Sequence, residues 1–222
     1  MHIDLLLNNY IRNPIKMKLN KFIVVEGIDG SGKTTICNYI IYLLKCWNIN
    51  NIIRTHEPGG TILAEKIRNL IKNSYKEFFS YKTELLLLYA ARLQLLDNII
   101  KPNIKDYWII SDRYDLSSYA YQIGGRGIQK KDILFLQKFI NNNIIPNIVI
   151  YLDVNPLIGL QRIKNRNKDR IEKESIKFFT NVRKYYLKIA NNNNMIKIID
   201  ANNNLSNVKL LVKKILFNFI KS

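Results

Sequence analysis

The sequence predicts an α/β fold in which a five-stranded parallel sheet is flanked by helices in three layers. Short apolar runs alternate with stretches of helical periodicity from residue 22 to the end, and such alternation is typical of strand–helix–strand units. Polar residues that could bind a ligand or take part in catalysis directly follow the apolar runs. Because ligands of open parallel sheets bind at the carboxyl ends of the strands, these two observations predict a ligand site at that edge.

The predicted elements follow one another in a regular order. A strand at 22–26 stops at a glycine, and 33–47 has helical spacing; a strand at 52–56 and an amphipathic helix at 62–72 repeat the unit. The apolar stretch 84–104 predicts a long, largely buried helix that ends near Pro102. The other predicted strands are 108–111, 148–153 and 195–200; the other helices are 116–122, 131–141, one that begins at Pro156, and 205–220.

The length of 222 residues suits one domain with its own core. Met17 stands just before the first predicted strand, so we interpret 17–222 as the domain and 1–16 as either a loose arm or the result of an upstream misread start. In both cases we expect the activity to survive removal of 1–16. The arm lacks the features of a secretory signal, and no run approaches the roughly 18 apolar residues of a membrane-spanning helix. These features predict a cytoplasmic location.

The chain is strongly basic, with 35 Lys and Arg against 17 Asp and Glu and a formal net charge of +18. Such a charge favours an anionic partner, which could be nucleic acid, an acidic membrane surface or a phosphorylated small molecule. The chain is also rich in Asn, Ile, Lys and Tyr, which A/T-rich codons encode, and its basic residues are spread over every segment. Composition therefore favours codon drift over nucleic-acid binding.

The histidines and the motifs of the sequence exclude two kinds of site and one class of protein. The two histidines, His2 and His56, belong to no ligand-like cluster, so neither a zinc site nor a histidine-based triad can be built. A GTPase would be expected to carry an NKxD segment that recognises the base, and the chain has none.

Residues 27–34 match the phosphate-loop pattern GxxxxGK[ST] between a predicted strand and a predicted helix. The glycines let backbone amides close around a phosphate chain, and the helix N-terminus adds partial positive charge. Lys33 would reach the outer phosphates, and the Thr34 hydroxyl would bind Mg²⁺. Asp112 and Arg113 follow another strand, where the acid can order Mg²⁺ and the guanidinium can bind a phosphate.

Small size and arginines after strand ends indicate a nucleoside monophosphate kinase, which holds two phosphorylated ligands face to face. From about residue 20 onwards the chain resembles the thymidylate kinase family, in the segments FIVVEGIDGSGKTT, HEPGGT, YAARLQL, SDRYDLSSYAYQ, GGRGI, YLDVNP and DRIE. The resemblance implies a P-loop nucleoside monophosphate kinase-like fold, ATP and dTMP as substrates, Mg²⁺ as cofactor and a homodimer. It assigns ATP binding to Gly27, Ile28, Asp29, Gly30, Ser31, Gly32, Lys33, Thr34, Thr35 and Arg162.

The resemblance also concerns a basic stretch that begins at Arg162. Residues 28–31 contain no arginine, and the chain is therefore similar to the family members that supply a catalytic arginine from a mobile lid, here about 162–172. Arg166 is the candidate for the catalytic arginine. A solvated basic helix end is the alternative for this stretch.

For the acceptor, the resemblance implies that Arg113 grips the monophosphate and that Asp29 faces the 3′-hydroxyl. Arg92 is a charged residue in an otherwise apolar helix and needs a partner. The resemblance implies that this partner is the carbonyl edge of thymine. Arg68 matches a family arginine near the acceptor, with a solvated helix arginine as the alternative. The loop of Glu57 and Pro58 closes over the acceptor in the family.

Ser118, Tyr121 and Gln122 fall within about one helical turn, so they can converge on one ligand. The resemblance gives Ser118 and Gln122 to the base edge and Tyr121 to the sugar; an ordinary half-buried polar helix face is the alternative. In place of an aromatic residue that stacks on thymine in the family, this chain has Leu88, with Tyr89 beside it. His56 replaces an arginine before the acceptor loop.

These features predict direct in-line phosphorylation of dTMP to dTDP by ATP, in dTTP biosynthesis, without a covalent intermediate. The expected catalytic residues are Lys33, Arg166, Asp29 and Arg113, and the expected Mg²⁺ ligands are Thr34 and Asp112. Two alternatives remain open. In the first, the chain phosphorylates another nucleoside monophosphate. In the second, which belongs to a different class, it is a basic protein with a kinase scaffold that binds nucleic acid without turnover.

Overall fold

The structure is a computed structural model that describes residues 21–140, 144–165 and 167–221. The predicted arm at 1–16 and the predicted catalytic arginine, Arg166, lie outside the described residues. The division into an arm and a domain at 17–222 stays a prediction.

Within the described residues, five parallel strands form one sheet. They are β1 (Phe22–Glu26), β2 (Ile52–His56), β3 (Trp108–Asp112), β4 (Ile148–Asp153) and β5 (Ile196–Asp200). Their order in the sheet is β2-β3-β1-β4-β5. The predicted sheet is confirmed, and the boundaries of its first, second and fourth strands are those expected from the sequence.

The chain winds outwards from β1 to β2, returns through β3, and continues on the other side of β1 with β4 and β5. The winding direction changes at β1, so the loops after β1 and β3 leave a crevice at the carboxyl edge of the sheet. Every residue of β1 is buried, as expected for a parallel strand covered on both faces. The register places Val25 of β1 beside Asp112 of β3 at this edge.

Helices cover the sheet. The α-helices of four or more residues are α1 (Lys33–Cys46), α2 (Ile62–Lys72), α3 (Tyr81–Leu95), α4 (Asp115–Ser118), α5 (Lys130–Ile140), α6 (Pro156–Arg162), α7 (Ile176–Ala190) and α8 (Leu205–Lys221). Helix α1 packs against α8, and α7 packs against a π-helical turn, Tyr119–Gly125, that follows α4. None of the helices in the described ranges has the length and hydrophobicity of a membrane-spanning segment.

Three helical elements differ from the sequence-based expectation by more than a residue or two at their ends. Helix α3 begins before residue 84 because the Ser80 side chain accepts a hydrogen bond from the amide of Lys82 and so caps the helix. It then passes through a π-helical turn, Leu96–Ile100. The helix expected at 116–122 is divided into α4 and a π-helical turn. Helix α7 was not assigned, although Ser175 caps it and its buried residues recur at helical spacing.

Candidate active site

A cavity of about 800 Å³ opens at the carboxyl edge of the sheet, where the winding direction changes. Pockets of this size and position are typical of ligand sites in parallel α/β proteins. Its walls come from the phosphate loop, the loop after β2, helices α2, α3 and α6, the segment after β3, and the segment after α6. Among its lining residues are these predicted site residues: Asp29, Gly30, Gly32, Lys33, Thr34, Thr35, Glu57, Pro58, Arg68, Leu88, Arg92, Asp112, Arg113, Ser118, Tyr121, Gln122 and Arg162.

Three residues of the predicted ATP loop lie behind the cavity wall and do not line the cavity: Gly27, Ile28 and Ser31. Ile28 and Ser31 are buried, and the carbonyl of Gly27 accepts a hydrogen bond from Arg113 Nη1 at 2.8 Å. A side chain at Gly30 would collide with the backbone of Gly159 in α6. The loop therefore lies directly on α6, and only a glycine allows this approach.

Lys33 begins α1 and is the cation at the centre of the phosphate loop. Its Nζ donates to the carbonyl of Ile28 at 3.0 Å. Burial lowers the pKa of Lys33, and the charge of Arg113 acts in the same direction, whereas Asp29 opposes both. The ammonium group is thus held inside the loop, where it can meet a phosphate.

Thr34 and Asp112, the two predicted Mg²⁺ ligands, are in direct contact. The Thr34 hydroxyl donates to Asp112 Oδ2 at 2.7 Å. A hydroxyl and a carboxylate are the hard oxygen ligands that Mg²⁺ prefers, and the ion usually completes its shell with water and substrate phosphates. The described residues contain no group of three or more acidic, histidine or cysteine side chains suited to a metal. The two oxygens fit part of such a shell, with water and phosphate oxygens as the other ligands.

Asp29 of the phosphate loop forms a second polar cluster with Arg113 and Tyr121. Arg113 Nη2 contacts Asp29 Oδ1 at 2.7 Å, and the Tyr121 hydroxyl donates to Asp29 Oδ2 at 3.0 Å. Although burial acts in the opposite direction, the charges of Arg113 and Lys33 hold the pKa of Asp29 well below its usual range. Asp29 is therefore ionised at neutral pH and links the phosphate loop to the segment after β3.

The backbone of Arg113 is in the left-handed region, with φ of 72°, which is unfavourable for a residue with a side chain. Its amide donates to the carbonyl of Val25 at 2.9 Å, and its own carbonyl accepts from the Ser111 hydroxyl at 2.7 Å. These bonds hold the strained conformation and direct the guanidinium towards the phosphate loop. Such strain is concentrated at functional sites.

Glu26, a buried carboxylate at the end of β1, was not singled out from the sequence. It accepts hydrogen bonds from the amides of Tyr114 and Ser117, from the Ser117 hydroxyl at 2.6 Å and from the Tyr186 hydroxyl at 2.8 Å. Burial raises the pKa of Glu26, although these donors oppose the shift. The carboxylate anchors the segment that carries Arg113. An acid that ends an apolar strand is the signal that could have identified it.

Arg92, which is expected from the family resemblance to bind the carbonyl edge of thymine, has its partners within the protein. Its guanidinium contacts Glu57 Oε2 at 2.6 Å and Asp115 Oδ1 at 2.9 Å, and it donates to Ser118 Oγ at 2.9 Å. Arg92 and Glu57 are both buried. Burial raises the pKa of Glu57 to about 7 despite the opposing charge of Arg92. The acceptor loop, α3 and α4 meet at this buried ion cluster.

Leu88 and Tyr89 take different positions at the wall where the base is expected. Leu88 lines the cavity, whereas Tyr89 does not. Tyr89 is buried, its hydroxyl faces Asp115 Oδ1 at 3.4 Å, and its ring packs against the Arg92 guanidinium. The apolar cover at the cavity is therefore Leu88.

The acceptor loop after β2 is held by two side chains of α2. Arg68 donates to the carbonyl of Pro58 at 2.7 Å, and Glu65 accepts from the amide of Gly60 at 2.8 Å. Glu65 also contacts His56 Nε2 at 2.7 Å. The peptide bond between Glu57 and Pro58 is cis. Arg68 is thus a loop-fixing residue at the cavity wall and not a solvated helix arginine.

The end of α6 and the segment after it line the cavity. Arg162, the last residue of α6, donates to the carbonyls of Ala201 at 2.9 Å and Gly30 at 3.4 Å. Further along, Asp169 pairs with Lys72 at 3.0 Å, and Arg170 pairs with the buried Glu84 at 2.5 Å. The segment is thus attached to the ends of α2 and α3.

Holding two phosphorylated ligands face to face distinguishes nucleoside monophosphate kinases among P-loop proteins, and the fold and the cavity place this chain in that class. A family model described as thymidylate kinase matches residues 25–212. The chain belongs to the thymidylate kinase family.

Named relatives agree with this family. The thymidylate kinase of Buchnera aphidicola subsp. Baizongia pistaciae (strain Bp) is 49% identical over 209 residues, covering 93% of this chain and 99% of that protein. The thymidylate kinase of Pseudoalteromonas translucida (strain TAC 125) is 44% identical over 201 residues, covering 90% and 96%. A crystal structure of thymidylate kinase from Ehrlichia chaffeensis has a TM-score of 0.72 at 32% identity, covering 90% of this chain and 99% of that one.

Proposed function

We propose that this protein transfers the γ-phosphoryl group of ATP to dTMP and so produces dTDP and ADP. The observation that carries the proposal is that one cavity joins the phosphate loop to the cluster around Arg113. An oxygen of the acceptor 5′-phosphate attacks the γ-phosphorus in line, and the bond from that phosphorus to the bridging oxygen breaks, leaving ADP. We infer that this reaction takes place in the cytoplasm and supplies dTTP biosynthesis.

On the donor side, the phosphate loop and Arg162 hold ATP. Lys33 neutralises charge on the outer phosphates as the bond breaks. Thr34 and Asp112 would hold Mg²⁺, which screens the phosphate charge when it is bound. Arg166, by resemblance, supplies a further cation from the lid.

On the acceptor side, Arg113 binds the monophosphate, and Asp29 faces the 3′-hydroxyl. Tyr121 borders the sugar. The base edge contacts Ser118 and Gln122, and Arg92 orients Ser118 through its hydrogen bond to Ser118 Oγ. Leu88 covers the base by apolar contact, so the cover lacks the stacking of an aromatic ring.

The reaction is tested by ADP release across a panel of dTMP, dUMP, dGMP and AMP with MgATP. We expect dTMP to give the highest kcat/KM, because the polar groups of the base wall suit a pyrimidine with carbonyls and because its methyl group adds apolar area that dUMP lacks. Tight, salt-sensitive binding of RNA or DNA without turnover of any monophosphate would contradict the proposal and favour a nucleic-acid-binding protein.

We also propose a homodimer formed through the outer faces of α3 and α5. Leu86 of α3 and Phe135 and Phe139 of α5 are 58%, 71% and 74% exposed, and the two helices are in contact. Grouped exposed apolar side chains are typical of protein interfaces. A second copy of the chain would bury them.

Sedimentation equilibrium measures the association. We expect the mass of two chains at micromolar concentration, and the mass of one chain for the double variant Phe135→Ser and Phe139→Ser. Leu210→Ser, at a residue of α8 that is 60% exposed, is the control and should remain a dimer. A single-chain mass for the unmodified protein would refute this interface.

A further inference from the structure

Gln122, a residue of the cavity wall, has an unsatisfied hydrogen-bond acceptor in its side chain. Gln122 lines the cavity and is 1% exposed. Its Nε2 donates to Glu84 Oε1 at 2.7 Å, whereas its Oε1 is buried and has no hydrogen-bond partner among the described residues. A buried carbonyl oxygen without a donor is costly, so this atom indicates a ligand that donates to it.

The orientation of this amide follows from the chemistry of Glu84. Glu84 is buried on α3, and its carboxylate also accepts from Arg170 at 2.5 Å and from Arg126 at 3.2 Å. Burial alone would raise the pKa of Glu84, but Arg126, Gln122 and Arg170 together hold that pKa below its usual value. An ionised carboxylate only accepts hydrogen bonds.

A reversed amide of Gln122 would place its Oε1 against the carboxylate of Glu84, two acceptors in contact without a proton between them. The cost of such a contact in a buried place is large. Glu84 therefore fixes which end of the Gln122 amide is left without a partner. The orientation is set by a neighbour and not by Gln122 itself.

We propose that Glu84 is a positioning residue that determines base specificity, because it locks the Gln122 amide with its acceptor towards the base. This inference rests on the proposed function. Thymine and uracil carry a hydrogen on N3 and can donate to this oxygen. Cytosine has a lone pair on N3, so the fixed acceptor repels it. A polar pocket of this kind rejects a base that lacks the donor more strongly than an apolar pocket can.

The test uses Glu84→Gln, which keeps the shape but allows the side chain to donate. The amide of Gln122 can then turn, and its preference for an N3 donor is lost. We expect the ratio of kcat/KM for dUMP to kcat/KM for dCMP to fall by about 10-fold or more, the size expected for one buried hydrogen bond. The ratio of dTMP to dUMP reports only the methyl group and should stay within about twofold.

Two further variants separate positioning from a general structural effect. Arg170→Gln removes the contact of Glu84 with the segment after α6 but leaves the Gln122 bond, so the dUMP to dCMP ratio should remain that of the unmodified enzyme. In a Gln122→Leu background, adding Glu84→Gln should leave the ratio unchanged, since the amide through which Glu84 acts is gone.

The inference is overturned if Glu84→Gln lowers kcat/KM for dUMP and dCMP by the same factor, because that result describes a purely structural residue. It is also overturned if the two substitutions act independently on the ratio. Absence of dTMP turnover in the unmodified enzyme would instead refute the proposed function itself, so the two failures are distinct. Thermal melting of each variant confirms that the compared enzymes are folded.

Discussion

Lys33→Ala is expected to lower kcat for dTMP by about 100-fold or more, with the fold retained. The ammonium group is held inside the phosphate loop by the carbonyl of Ile28, and no other lysine of the described chain lines the loop itself. Its loss removes positive charge at the point where negative charge develops on the outer phosphates. ADP-release kinetics at saturating dTMP and ATP measure the effect.

Lys45→Ala is the control for this substitution. Lys45 lies in the last turn of the same helix, α1, is exposed, and does not line the cavity. We expect its kcat to match that of the unmodified protein. A Lys33→Ala enzyme with near-normal kcat would show that the phosphate loop is not the donor site.

Arg92→Met is expected to reduce the free energy of unfolding by about 3–5 kcal/mol, the loss that follows when one partner of a buried ion pair is removed. The substitution leaves the buried carboxylate of Glu57 and that of Asp115 without their cation. Urea denaturation, with the slope of the transition compared between proteins, measures the loss. Adding Glu57→Gln should recover part of it, since one uncompensated buried charge is then removed.

Arg68→Met provides the comparison for stability. Arg68 is half-buried on α2 and makes a hydrogen bond to the carbonyl of Pro58, so its substitution should cost about 1 kcal/mol. If Arg92→Met were no more destabilising than Arg68→Met, the ion cluster would not stabilise the fold.

Local sequence patterns predicted the strands and the phosphate loop because both depend on neighbouring residues. An apolar run followed by glycine defines β1, and the GxxxxGK[ST] spacing requires a strand before it and a helix after it. Thr34 and Asp112 were expected at one Mg²⁺ site for the same reason, since the phosphate loop follows β1 and Asp112 ends β3 at the same edge of the sheet. In contrast, helix α7 was missed although its cap and spacing were visible.

The partners of buried charges could not be predicted from the sequence. Arg92 contacts Glu57 and Asp115, which lie 35 and 23 positions away in the chain. Nothing in the local pattern shows which carboxylate will lie beside an arginine after folding. The acceptor-side arrangement of Leu88 and Tyr89 was undecided for a related reason, since adjacent helix positions differ by about 100° and only packing determines which one faces the cavity.

The sequence by itself determined the α/β class, the phosphate loop and the family, because motifs and periodicity are properties of neighbouring residues. Only the tertiary structure decided what anchors these groups: Glu26 beneath the segment of Arg113, the ion cluster around Arg92, and Glu84 behind Gln122. The physical reason is that a buried charge requires partners on every side. Those partners come from elements far apart in the chain, and the fold alone brings them together.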